Sequence, residues 1–293
     1  MADDRGTVLV SGAAGGLGRR LIPLLRERGW RVRTLVHHRE VPEADESRPG
    51  DLGDGASLAQ AAQGAAAVVH LAALTHARRV RDYQRVNVEG TANLLAAVRE
   101  ASAGRFLFVS TRAVSPDGGG YSRSKARAEE LVKETGGDFV IVRLPEVYGA
   151  GGAEGVDEIV ARARRGAAIR LVGSGSDQLC PVHVDDALEA LAAALDSPAA
   201  AGRTYTLAGQ CFSAREVAEI CVRSFGSDSR IVGVPVPAVA AASLLARVLP
   251  VGLYPDQLDR LRAEKPPLSP EAGPDLGFAP RPLAEGLAAL GGG

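Results

Sequence analysis

Tyr121 and Lys125 stand four residues apart in YSRSKARAEELVKET. The stretch predicts a charged amphipathic helix over 121–135, ended by Gly136 and Gly137, so the two side chains share one helix face. A phenol with a free pKa of about 10 is a poor base, but it can give a proton to an alkoxide developing on a nearby carbon. An ammonium beside it favours the phenolate and lowers that pKa. Thr111 ends the apolar run RFLFVST and offers a hydroxyl to the same oxygen, with Ser110 as its alternate. Together these groups suit the interconversion of an alcohol and a carbonyl. Taken alone, a tyrosine and a lysine at this spacing are more often a plain helix face.

A second constellation lies near the N-terminus, in VSGAAGGLG at 10–18. Gly12 allows a tight turn, Gly15 the close approach of a diphosphate, and Gly18 the packing of a helix on a sheet. The spacing is GxxGxxG, one residue different from GxGxxG. In a chain with 35 glycines, a packing turn is the simpler alternative. The position of this turn between an apolar strand and a helix favours a dinucleotide, whose phosphates would meet the N–H groups of the helix start.

The elements that must position these residues are readable from apolar runs. Strands are expected at 8–10, 31–36, 67–71, 105–110 and 139–143, alternating with helices at 17–28, 58–63, 83–101 and 121–135. This alternation predicts a parallel sheet covered on both faces, doubly wound, with its site at the carboxyl ends of the strands. After Tyr148 the rhythm loosens. Helices are expected at 156–165, 184–195, 214–225 (capped by Ser213 with Glu216), 239–248 and 283–290, with short strands at 168–172 and 204–207. The expected organisation is a dinucleotide-binding core over 1–150 and a smaller, partly interleaved substrate-binding region over 151–293.

The chain resembles the extended short-chain dehydrogenase/reductase superfamily, of the NAD(P)-dependent epimerase/dehydratase type. The resemblance runs in order through SGAAGGLG (11–18), Asp51–Leu52, VVHLAA (68–73), NVEGTANLL (87–95), VST (109–111), the Tyr121–Lys125 pair, RLPEVYG (143–149), PVHVDDA (181–187) and DLGFAPRPLAEGL (275–287). It implies a Rossmann α/β fold. It also implies Asp51 and Leu52 near the adenine, Ala72 and Ala73 as a close wall, and Asn87 ordering the site from behind. Thr111 would hold the substrate oxygen, Tyr121 would donate its proton, and Lys125 would hold the nicotinamide ribose. Cofactor contacts are thus expected from Gly12, Gly15, Gly18, Arg39, Asp51, Leu52, Ala72, Asn87, Tyr121 and Lys125. Relatives are often dimers through four helices, here about 90–101 and 121–135.

An NAD site usually has an acid at the end of the second strand, on the ribose 2′-OH. Here His37, His38 and Arg39 stand there, Glu40 is the first acid, and Arg19 follows the third glycine. A 2′-phosphate favours such groups, so NADP is expected, with Arg39 on the phosphate. Glu40 keeps NAD open, and a surface charge is the simpler reading of Arg39.

On the substrate side, the Thr111–Tyr121 loop has nine intervening residues, TRAVSPDGGGY, and Gly118–Gly120 would let it move. Arg112 and Ala113 follow Thr111 where dehydratase-type relatives place an Asp–Glu pair, which argues against 4,6-dehydration. Nucleotide-sugar relatives often clamp the diphosphate with an Arg near the place held here by Leu179 and Cys180. Its absence suits a smaller or more hydrophobic carbonyl compound, unless Arg162, Arg164 or Arg165 substitutes. His76, Arg78, Arg79 and Arg81 would flank the cleft or form a solvated stretch. Asp185 and Asp186 are expected to cap a helix, Glu146 and Tyr148 to line the cleft, and Tyr254 and Gln257 to close it.

Bulk composition excludes more than it names. A net charge of −1 gives no electrostatic case for nucleic acid or an acidic membrane. Cys180, Cys211 and Cys221 have no metal spacing and suggest no disulfide framework, so no metal site and a reducing, cytoplasmic setting are expected. The acidic start, MADDRGTVLV, does not read as a signal peptide, and no apolar run reads as a membrane span. The function expected is that of an NADPH-dependent ketoreductase or alcohol dehydrogenase. The alternatives are a nucleotide-sugar epimerase with tightly held NAD, or a non-catalytic dinucleotide sensor.

Overall fold

A computed structural model describes residues 5–152, 155–245 and 256–291. Its centre is a sheet of seven parallel strands. The first six are β1 (Thr7–Ser11), β2 (Arg31–Val36), β3 (Glu46–Pro49), β4 (Ala65–His70), β5 (Arg105–Thr111) and β6 (Phe139–Leu144). Four short strands follow: β7 (Val147–Tyr148), β8 (Ile169–Val172), β9 (Gln178–Leu179) and β10 (Val182–His183). Then come β11 (Arg203–Thr206), β12 (Phe212–Ser213) and β13 (Ile231–Val234). The sheet order is β11-β6-β5-β4-β1-β2-β3. The strand order reverses between β1 and β4, which opens a crevice at their carboxyl ends. The last strand, β11, comes from beyond residue 150, so the C-terminal part of the chain completes the sheet.

Twelve α-helices lie among the described residues. In the first half these are α1 (Gly16–Glu27), α2 (Gly55–Ala62), α3 (Val80–Tyr83), α4 (Gly90–Glu100) and α5 (Gly119–Glu134). In the second half they are α6 (Gly155–Arg164), α7 (Val184–Asp196), α8 (Ala214–Ser224), α9 (Val236–Leu245), α10 (Gln257–Arg262), α11 (Ala272–Leu276) and α12 (Leu283–Gly291). Alternate residues of each strand enter opposite layers. Val8 and Val10 join Ile22, Leu25 and Leu191 on one face, while Leu9 joins Leu58, Leu94, Phe108 and Val132 on the other. This two-sided burial explains why the strands read as continuous apolar runs. A separate core, with Ile159, Leu171, Val217 and Leu287, holds the C-terminal elements together.

Several expectations need correction. β3 was not expected, because its sequence ESRP is polar and mostly exposed at the sheet edge. The helix expected over 83–101 begins at Val80 and contains a π-helical segment, Gln84–Glu89. The helix expected over 239–248 starts earlier, at Val236, and residues 246–248 lie outside those described. Cys180 and Cys211 form a disulfide, although no disulfide was expected. β9 and β12 pair antiparallel with Leu179 opposite Phe212, so Cys180, after Leu179, meets Cys211, before Phe212, with Cα atoms 4.0 Å apart. A separation of 31 residues hides that register from the sequence. The Ser213–Glu216 capping box on α8 is present as expected.

Candidate active site and cofactor cleft

β1 delivers the chain to the crevice and α1 carries it away, so the turn between them sets the site. Gly12 has φ +75°, and a Cβ there would lie 2.5 Å from the Ala72 backbone nitrogen. At Gly18 a Cβ would lie 2.5 Å from the Gly12 carbonyl oxygen. These two glycines are required by close backbone packing. Gly15 is looser, its nearest neighbour being the Gly12 oxygen at 3.2 Å. The start of α1 therefore reaches the crevice without side chains over it, as a diphosphate requires.

Two adjoining cavities share Gly12, Gly15, Leu71 and Ala73 as a common wall. The larger, about 750 Å³, is lined by Asp51, Leu52, Ala72, His37, His38, Arg39 and Arg85 among others. The smaller, about 460 Å³, is lined by Gly18, Thr111, Tyr121 and Lys125. The expected phosphate turn and the expected proton-transfer groups thus face one continuous cleft. Asn87 lines neither cavity. It is buried, accepts from the Leu74 N–H at 2.7 Å and donates to the Leu74 carbonyl at 3.0 Å, which fixes the cleft wall from behind.

The adenosine end departs in detail from the expectation. The Asp51 carboxylate accepts from the Gly53 N–H at 2.6 Å and pairs with His37 at 2.7 Å. His37 is therefore a partner of Asp51 rather than a free phosphate ligand. Arg19 turns back to the Ala14 carbonyl. Arg39 lines the cavity with no ion pair among the described residues, and so does Arg85, which carries no signal in the sequence. Arg78, Arg79 and Arg81 are exposed and line neither described cavity.

In the smaller cavity Ser110 and Thr111 separate cleanly. Ser110 donates to buried Glu129 at 2.6 Å, and Glu129 is also held by Arg143. Both residues line the cavity, but the Ser110 proton is committed to Glu129, whereas the Thr111 hydroxyl accepts the Ala113 N–H at 3.0 Å and keeps its own proton to donate. Lys125 is buried, donates to the Val109 carbonyl at 2.9 Å and lies 3.9 Å from the Phe108 ring centre. Burial pushes its pKa down to about 7, against the opposing pull of Glu129. Burial pushes Tyr121 up, and the opposing cation is Arg260, 4.3 Å from the ring centre.

α10 and the residue before it close this end. Asp256 accepts the Tyr121 N–H at 3.0 Å and the Tyr83 hydroxyl at 3.2 Å. Arg260 donates to the Thr75 carbonyl at 3.0 Å. Neither residue was foreseen, because QLDRLR reads as an ordinary charged turn and its partners lie more than 130 residues away. Gly118–Gly120, expected to be mobile, are buried close-contact positions. A Cβ at Gly120 would lie 2.9 Å from the Tyr83 ring, and one at Gly119 2.5 Å from Asp256.

Other expected roles are reassigned. His183, not an aspartate, caps α7 by accepting the Asp185 N–H, while Asp186 holds Arg281. Tyr148 is wholly buried in the C-terminal core and does not line the cleft. Glu146 accepts the Cys180 N–H at 3.0 Å, and Arg112 donates to Gln178 at 3.2 Å. Leu179 and Cys180 are buried. Tyr254 lies outside the described residues, and Gln257 begins α10. Among the described residues there is no cluster of three metal-ligating side chains and no helix long and apolar enough to cross a membrane.

Comparison with known proteins extends the picture. A model of the NAD dependent epimerase/dehydratase family matches residues 8–208. The ceramide reductase of Caulobacter vibrioides is 31% identical over 261 residues, covering 83% of this chain and 78% of that protein. A farnesyl-dihydroquinoline-1-oxide ketoreductase of Stigmatella aurantiaca is 30% identical, covering 84% of this chain and 81% of its own. Among solved structures, DesIV, a dTDP-glucose 4,6-dehydratase from Streptomyces venezuelae with NAD bound, is 25% identical with a TM-score of 0.76. That match covers 97% of this chain and 95% of DesIV.

Proposed function

The chain belongs to the NAD dependent epimerase/dehydratase family, within the extended short-chain dehydrogenase/reductase superfamily, and from that premise we propose that this NAD(P)-dependent oxidoreductase is an NADPH-dependent ketoreductase. The observation that carries the reading is the shared cleft, in which Thr111, Tyr121 and Lys125 adjoin a glycine turn shaped for a diphosphate. A bound reduced nicotinamide supplies two electrons as a hydride, and its carrier is left oxidised. The chain's part is to hold and protonate the acceptor. Gly12, Gly15 and the start of α1 would hold the diphosphate, with Asp51, Leu52, Ala72 and Arg39 around the adenosine and Lys125 toward the second ribose. Asn87 would act through the Leu74 wall. Thr111 would hold the substrate oxygen. As a C–H bond forms and the C=O π bond breaks, Tyr121 would give its hydroxyl proton to that oxygen and then regain one from solvent. Its raised pKa keeps it protonated near neutrality, as the reductive direction requires.

A nucleotide-sugar epimerase is the second reading, and the solved neighbours favour it: DesIV is itself a nucleotide-sugar enzyme that binds NAD. The same residues would then oxidise and re-reduce one sugar carbon. Against it stand buried Leu179 and disulfide-bonded Cys180 at the clamp position, and Arg112–Ala113 after Thr111. The two sequence relatives that carry reductase names support the first reading. A non-catalytic sensor would not need the intact Thr111–Tyr121–Lys125 set. A homodimer joined through α4 and α5 completes the proposal; the Cys180–Cys211 bridge removes the ground on which a reducing, cytoplasmic setting was expected.

The deciding experiment records nicotinamide absorbance with NADPH and NADH across a panel of ketones, oxo acids and nucleotide sugars. Ketone-dependent oxidation of NADPH is expected, with Tyr121→Phe slowing it by about 10²- to 10⁴-fold. Interconversion of nucleotide sugars with no net absorbance change would establish the second reading. Equal turnover by Tyr121→Phe would remove the proton-transfer role.

A further inference from the structure

Three cationic side chains stand near the reacting end of the cleft without lining either described cavity: Arg112 follows Thr111, Arg260 lies against the Tyr121 ring, and Lys265 is bonded to Arg260. Arg112 is almost wholly buried. Among the described residues its side chain makes one hydrogen bond, to Gln178, and its Nε and Nη1 have no hydrogen-bond partner. Arg260 spans Thr75 and Tyr121, both lining residues of the smaller cavity, and its buried Nε is also without a partner. Lys265 donates to the Arg260 carbonyl. Burial lowers its pKa, Glu146 raises it, and Arg112 and Arg260 push it down again.

Each arginine has an acid at ion-pair distance, but neither acid accepts a hydrogen bond from the unpartnered N–H groups. Glu146 accepts the Cys180 N–H and stands 3.8 Å from Arg112 Nη1, beyond hydrogen-bonding distance. Asp256 is taken by the Tyr121 N–H and the Tyr83 hydroxyl, and stands 3.7 Å from Arg260. A buried donor left unpaired costs about 1–3 kcal/mol, more when charged. Unpaired guanidinium N–H groups on two separate segments, beside a phenol poised to protonate a carbonyl oxygen, point to an acceptor that arrives with the substrate. A carboxylate is the planar, charged acceptor that guanidinium groups match best.

We propose that the substrate is an oxo acid whose carboxylate is received by Arg260 and Arg112, with Lys265 supporting the positive field. This rests on the ketoreductase reading and names its substrate class. It places selectivity on α10 and on the residue after Thr111, away from the clamp position at Leu179.

The test compares 2-oxo and 3-oxo acids with their methyl esters, using NADPH oxidation by the full chain. Wild type is expected to favour the acid in kcat/KM by about 10- to 100-fold, the range of a hydrogen bond to a charged group. Arg260→Gln should shrink that ratio about tenfold, mainly through KM for the acid. Arg260→Lys should retain part of it, which separates charge from donor geometry. Arg262→Gln, an exposed position on the same helix, should leave the ratio unchanged. Equal use of acid and ester by wild type, or an unchanged ratio in Arg260→Gln, overturns the inference and assigns those donors to water. Reduction of neither class while simple ketones are still reduced overturns the inference and leaves the ketoreductase reading standing, whereas no reduction of any ketone overturns both.

Discussion

The cofactor half and the substrate half of the cleft are built in different ways. Around Gly12, Gly15 and Gly18 the site consists of backbone, and its closest contacts join residues within one turn or on the next strand. Around Tyr121 it consists of side chains from distant segments: Tyr83, Asp256 and Arg260, with Arg112, Gln178 and the Cys180–Cys211 bridge behind them. A backbone site leaves its mark in residue type, because only glycine fits. A side-chain site leaves a sequence that many surfaces share.

That difference explains what was legible. The doubly wound sheet followed from apolar runs buried on both faces, and the shared cleft followed from where strands must end. β3 was hidden because an edge strand can be polar. The disulfide was hidden because it depends on a two-residue ladder between β9 and β12. Arg260 carries no local signal at all. Asp51 and His37 were each recognised at the adenosine end, but their pairing depends on how two loops meet.

The sharpest way to test the backbone half is at Gly18. A methyl group there meets the Gly12 oxygen and the Ala13 backbone at 2.5–2.6 Å, with no flexible side chain to yield. Gly18→Ala is expected to cost about 3 kcal/mol of stability or more, within the overpacking range, and to abolish cofactor binding. Gly15→Ala meets only the Gly12 oxygen at 3.2 Å, so it should melt close to wild type while weakening cofactor affinity. Thermal unfolding and nucleotide titration of both variants check this. Equal melting of the two would mean that the turn is not a rigid cradle.

On the substrate side the corresponding test is the bridge. Closing a loop between cysteines 31 residues apart should contribute about 3 kcal/mol. Denatured, unreduced protein should titrate one thiol, Cys221, and reduced protein three. Cys180→Ala/Cys211→Ala should lower the melting temperature while leaving nucleotide affinity as in wild type. Three thiols before reduction would remove the bridge from the comparison.

Lys125 joins the two halves, and its titration gives a smaller effect with a definite sign. Burial holds its folded pKa at about 7, whereas an unfolded lysine titrates near 10.4. Between those values the unfolded chain binds a proton that the folded chain does not, so stability rises with pH. Below about pH 7 both states are protonated and this contribution is flat. Urea unfolding at pH 7 and pH 9 should show wild type gaining about 2 kcal/mol relative to Lys125→Met. An unchanged difference between the two proteins would mean that the amine stays charged in the folded state.

The smallest expected effect lies at Arg39, where the backbone half depends on a side chain. The end of β2 presents His37, held by Asp51, and Arg39, which has no ion pair among the described residues and lines the adenosine cavity. A 2′-phosphate would give that guanidinium a charged acceptor, whereas a 2′-hydroxyl would give it a weaker partner. Arg39→Ala should therefore weaken NADPH binding about tenfold, or about 1.4 kcal/mol, and leave NADH binding nearly unchanged. Fluorescence titration with each nucleotide measures both arms. Arg85 lines the same cavity, and Arg85→Ala shows whether the preference belongs to one arginine or to the field of two. A wild-type chain that binds NADH more tightly than NADPH would end the NADP assignment. The glycine cradle would be untouched, because it reads only the diphosphate that both cofactors share.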